Sequence, residues 1–107
     1  MTNYGLNEYQ IDAMELRLDS AQNPLYALLG FPAEAGEVCD LAAKAIRDGK
    51  KFDHELNMKK ELGDCLWFIS AIAADNGFTL EDVAIGNIAK LTDRKNRGVL
   101  QGSGDNR

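Results

Sequence analysis

The chain has 107 residues, enough for one domain and too few for two. Hydrophobic residues make up 45% and charged residues 27%, which excludes a mainly disordered chain. The 12 Lys and Arg face 17 Asp and Glu, and the resulting net charge of −5 disfavours a nucleic-acid polymer as partner and leaves phosphate chemistry in need of a metal ion.

No segment alternates apolar and polar residues as a strand does, so the spacing predicts an all-α chain. The first helix is expected to start after Asn7, with Asn7 capping and Gln10 reaching back, and to run to about Ser20 with Tyr9, Met14, Leu16 and Leu18 as its apolar surface. Asn23-Pro24 marks a break and opens a second segment, Leu25 to Asp48, stopped by Gly49. Pro32 is expected to divide that segment into a short turn through Gly30 and a longer helix from Ala33, with Val38, Leu41, Ala42, Ala45 and Ile46 as its stripe. A third helix runs from Asp53 or His54 to Asn76-Gly77. A fourth is capped by Thr79 and ends near Gly98, with Leu80, Val83, Ala84, Ile88 and Leu91 as its stripe. Residues 1–100 thus read as one helical domain, a four-helix bundle, and 101–107 as a flexible tail without apolar residues that is ordered on ligand binding.

The third helix is apolar on every face from Cys65 to Ile69, which three partners in so small a chain do not cover, so a homo-oligomer (dimer or tetramer) is expected. The longest apolar run, Cys65 to Ala74, stops at ten residues, short of the roughly 18 that span a bilayer. The N-terminus has no signal-peptide pattern, and Cys39 and Cys65 read as small, reduced core residues, so the expected compartment is the cytoplasm and no membrane partner is expected.

Two acidic pairs stand out. Glu34 and Glu37, then Glu61 and Asp64, are each three residues apart and so share a helix face. Both pairs lie where an apolar stripe begins, and like charges beside a core are unfavourable unless something positive compensates. Four carboxylates on two facing helices offer an all-oxygen site for Mg²⁺, with Mn²⁺ as a substitute; two solvated acidic faces are the plainer alternative. Gly36 and Gly63, at matching places in the two pairs, point to close helix approach or to room for a ligand.

Glu34-Ala-Gly-Glu37 followed, after 23 residues, by Glu61-Leu-Gly-Asp64 resembles the paired acidic signature of the MazG-like nucleoside triphosphate pyrophosphohydrolases. The likeness extends to Leu28–Pro32, to Asp64–Phe68, to Gly77–Val83, to Asn87–Leu91 with Arg94, and to the Gly102–Arg107 tail. Many members carry a further Glu where this chain has Ala33. The resemblance implies a MazG fold and Mg²⁺-dependent cleavage of a ribo- or deoxyribonucleoside triphosphate to monophosphate and pyrophosphate, as nucleotide-pool house-cleaning. It implies Glu34, Glu37, Glu61 and Asp64 as metal ligands and catalytic groups, with Glu37 or Glu34 favoured as base. Asn87, Lys90 and Arg94 are implied as substrate-binding residues; separately, the tail's Gly-Ser-Gly amides and Arg107 are expected to fold over bound phosphates as an anion nest. Tyr26 and Phe31 are candidates for touching the base; Trp67 reads as core or interface and His54 as a surface or capping residue. Lys44 is expected to pair with Asp40. The alternatives are a specialised substrate of the dUTP or phosphoribosyl-ATP type, or a non-catalytic helical module that dimerises.

Overall fold

The computed structural model describes residues 3–51 and 57–107. Four helices occupy them, α1 (Leu6–Glu15), α2 (Pro24–Asp48), α3 (Asn57–Asp75) and α4 (Leu80–Asn96), with a short 3-10 turn at Asp19–Ala21. No strand occurs among the described residues, and no helix there is long and apolar enough to cross a membrane. The expected starts of the third helix at Asp53 or His54 lie outside the described residues.

Several ends are set by the residues the sequence marks. Asn23 caps α2 by accepting the Leu25 N–H at 2.9 Å, with Pro24 in the first turn, and Gly49 closes the helix in the left-handed conformation at φ 64°. Thr79 and Asp82 form a reciprocal capping box at the start of α4.

Other expectations are corrected. α2 runs unbroken through Pro32. A proline leaves the carbonyl four residues back, that of Leu28, without its helical donor. Pro32 and Leu28 both lie on the exposed side of α2, where water can take that role, while Ala27 and Phe31 keep the helix seated on α3. α1 starts at Leu6, two residues earlier than expected, with Gly5 at its N-cap, and ends at Glu15. Asn7 does not cap its own helix: its amide grips the first turn of α4, donating to Glu81 at 2.9 Å and accepting the Glu81 N–H at 3.1 Å. Leu16 and Leu18 are exposed, and α1 buries Gln10 and Ala13 instead.

The core is the contact between α2 and α3, where Ala27, Phe68 and Ala71 are buried and Met14, Phe31, Trp67 and Ile72 pack around them. Phe68 meets Trp67 edge-on at 5.0 Å between ring centres and Tyr26 at 5.6 Å. Gly30 is what lets the helices close: a Cβ built there collides with the edge of the Phe68 ring. Polar bonds then tie α1 to the far end of α3. Gln10 donates to the carbonyls of Ser70 and Phe78 and accepts the Leu80 N–H at 3.0 Å. Arg17, nearly inaccessible, forms a two-point ion pair with Asp75 and donates to the carbonyls of Ala21 and Asn23.

The all-face apolar run of α3 is therefore largely covered within the chain. The open apolar surface lies elsewhere, on α4 at Ile85 and Ile88 and on α2 at Leu25, Leu28, Leu29 and Ile46. Of the expected α4 stripe only Leu80 is buried. The radius of gyration is 16.7 Å, against roughly 13 Å for a compact chain of this length.

Candidate metal and substrate site

One turn beyond the tight crossing at Gly30, α2 turns Glu34 toward α3, and the first turns of α3 bring Glu61 and Asp64 to meet it. Carboxylate oxygens of Glu34, Glu61 and Asp64 all lie within 4.8 Å of one another. Glu34 and Glu61 are half-buried and Asp64 is exposed. Burial, followed by the charges of Asp64, Glu61 and Glu37, pushes the Glu34 carboxyl above its ordinary range. The neighbouring Cys65 thiol is likewise raised by burial and by these carboxylates. Glu37 stands outside the three-way group, one turn along α2 and exposed, yet near enough to act on Glu34.

All donors here are oxygens, two of them partly withdrawn from water, and no cation of the chain is paired with them among the described residues. That donor set fits a hard divalent cation such as Mg²⁺ or Mn²⁺. Gly36 and Gly63 do not mark a helix crossing, since a Cβ on either would meet nothing within 4 Å. They leave open space around the carboxylates, and the close approach falls at Gly30.

Glu34 and Asp64 also form one rim of a cleft of about 260 Å³. Its walls are the rings of Tyr26, Trp67 and Phe68 and the connection from α1 to α2, namely Leu16, Arg17, Leu18 and Ala21. Trp67 is held in place by donating its indole N–H to the Ala13 carbonyl at 3.0 Å. Carboxylates at one rim and aromatic faces behind them suit a divalent cation beside a ligand with a flat ring. Tyr26 is therefore placed at the cleft, whereas Phe31 faces a separate apolar groove with Ile69, Ile72 and Phe78.

None of Asn87, Lys90, Arg94 and Arg107 lines the cleft. Asn87 is exposed on α4. Lys90 lies 3.6 Å from the Asp105 carboxylate, and Arg94, buried, donates to the main-chain carbonyl of Asp105 at 2.7 Å. Arg107 folds back onto the carbonyls of Val99 and Leu100. Lys44 pairs with Asp40 at 2.8 Å, away from the three-carboxylate group. Cys39 is exposed rather than a core residue, and Cys65 is half-buried.

Sequence reasoning gave Gln10 a capping role in place of its bonds to Ser70, Phe78 and Leu80, and missed Arg17 and the wall that Arg17 supports. A charged side chain amid the apolar Leu16 and Leu18 was the available signal, but its partner Asp75 is distant in the chain.

Comparison with known proteins identifies the family. A family model for the MazG nucleotide pyrophosphohydrolase domain matches residues 22–99. The "Gene 37 protein" of Mycobacterium phage L5 is 36% identical over 109 residues, spanning 92% of this chain and 96% of the phage protein. No solved structure matches the chain.

Proposed function

The chain belongs to the MazG nucleotide pyrophosphohydrolase family, and from that premise we propose that it hydrolyses nucleoside triphosphates between the α- and β-phosphates. The observation that carries the reading is the meeting of Glu34, Glu61 and Asp64 at the rim of an aromatic-walled cleft. The products are a ribo- or deoxyribonucleoside monophosphate and pyrophosphate, and the role is the removal of unwanted nucleotides.

Glu34, Glu61 and Asp64 would hold Mg²⁺, or Mn²⁺ in its place. When bound, the ion draws negative charge from the α-phosphate and helps a water to ionise. Tyr26 and Trp67 receive the base between their faces and exclude water from it. Glu37, outside the three-way group, takes the proton of the attacking water. Oxygen of that water bonds to the α-phosphorus, the bond to the bridging oxygen breaks, and pyrophosphate departs with the electron pair.

A second copy of the chain is part of this proposal. The exposed apolar side of α4 and the extended shape of the single chain are what a dimer interface would cover. Sedimentation should show a dimer or tetramer, and Ile88→Glu should shift it to monomer.

The reading is tested by incubating the protein with Mg²⁺ and each ribo- and deoxyribonucleoside triphosphate, then resolving the products. Equimolar monophosphate and pyrophosphate are expected. Glu37→Gln should lower kcat by about 10²–10⁴-fold with Mg²⁺ binding retained. Diphosphate and phosphate as products would overturn the reading, and turnover of dUTP alone or of phosphoribosyl-ATP alone would replace it by the specialised one.

A further inference from the structure

The segment from Val99 to Arg107 is held by three guanidinium groups. Arg107 gathers three carbonyls, donating to Val99 at 3.0 Å, to Leu100 at 2.9 Å and to Gly104 at 2.6 Å. Arg94 holds the same loop from the α4 side through the carbonyl of Asp105 at 2.7 Å and that of Gly104 at 3.5 Å. Arg97 fastens the end of the loop by donating to the Arg107 carbonyl at 2.6 Å. Main-chain oxygens are thus turned inward onto cations.

The amides are left free of the chain: among the described residues, no backbone N–H from Leu100 to Asn106 has a protein acceptor, and residues 100–106 are exposed. Gly102 and Gly104 have φ of 126° and 87°, and no other residue between them or just after has positive φ. Alternating signs of φ are the backbone pattern in which neighbouring N–H groups can converge on an anion. The glycines are needed for it, since L-residues rarely adopt these angles. Charge supports the same ligand. Lys90, Lys95 and Arg97 lie on the adjoining part of α4, and the Asp105 carboxylate is held below its usual range, Lys90 being the largest cause and Arg94 the next.

We propose that residues 101–106 form a preformed site for a phosphate or pyrophosphate group, which binds to the free main-chain amides with the hydroxyl of Ser103. Arg94 and Arg107 build the loop and do not themselves contact the anion. This deepens the proposed function, on which it rests for the identity of the phosphate donor, by placing terminal-phosphate capture on the loop rather than on the α4 side chains.

Inorganic pyrophosphate titrated into the metal-free full-length chain, followed by amide NMR, tests the site without requiring turnover. Saturable shifts at the amides of residues 101–106 are expected. Ser103→Pro removes one amide in a residue of negative φ and should weaken binding at least roughly tenfold, and Arg107→Gln, which releases three carbonyls, should weaken it further. Divalent-cation affinity at Glu34, Glu61 and Asp64 should stay unchanged in both, which also shows that they fold. Shifts confined to α2 and α3, or undiminished affinity in both variants, would overturn the loop site. Loop binding in a protein that hydrolyses no triphosphate would uphold the site and overturn the enzymatic reading; hydrolysis with no loop binding would do the reverse.

Discussion

The pair α2 and α3 is packed tightly at one end and left open at the other, although the same two helices form both. Around Gly30, Ala27 and Ala71 are fully buried and the Phe68 ring occupies the space a side chain at residue 30 would need. Around Gly36 and Gly63 nothing stands within 4 Å of where a Cβ would be, and three carboxylates face one another. A glycine thus serves contact at one end and vacancy at the other. The packed end supplies the stability that holds mutually repelling groups together at the open end.

That contrast can be broken most strongly at Gly30. Gly30→Ala should push Phe68 out of its seat and destabilise the chain by about 1–3 kcal/mol, read as a fall in Tm of several degrees or more. Gly63→Ala should act in the opposite direction. With no neighbour to displace, the better helix former should add about 0.5–1 kcal/mol and raise Tm by a few degrees. A fall in Tm there would mean that the open end is not open.

Smaller effects sharpen the electrostatic half of the comparison. Glu34→Gln should raise Tm by a degree or two in metal-free buffer, since it relieves repulsion at a partly exposed site. The same substitution should abolish the Tm gain that Mg²⁺ gives the unaltered chain, measured by calorimetry. The smallest effect is its pH dependence. Glu34 holds its proton above the ordinary value of 4.5, so the folded chain binds more protons than the unfolded one just above that pH. Metal-free stability should therefore fall as pH rises through that window, and urea melts of Glu34→Gln should lack that component.

Helix class, the break at Asn23-Pro24, the stop at Gly49, the cap at Thr79 and the acidic pairs were legible because each depends on residues close together in the chain. Pro32 misled because its cost depends on which side of the helix loses the hydrogen bond, and that is a tertiary fact. The expected stripes on α1 and α4 misled for a related reason. Gln10 and Arg17 are buried through bonds to residues about sixty positions away, whereas Leu16, Leu18 and Ile88 stay exposed. Three of the four expected ligands were brought together by spacing alone, with Glu37 outside the group. The cleft was not legible, since its far wall comes from the connection between α1 and α2.

Gln10 has a mechanical consequence. Apolar contacts let helices slide by fractions of a turn at little expense, but a hydrogen bond has direction, and this one amide reads three backbone groups around the bend from α3 into α4. Arg17 does the same for Asp75 and the approach to α2. Tilting α4 must therefore either break these bonds or carry α1 with it, and the chain just beyond α1 is the wall of the cleft. The molecule behaves here as a linkage rather than a stack: a push on α4 arrives at the rings of Tyr26 and Trp67.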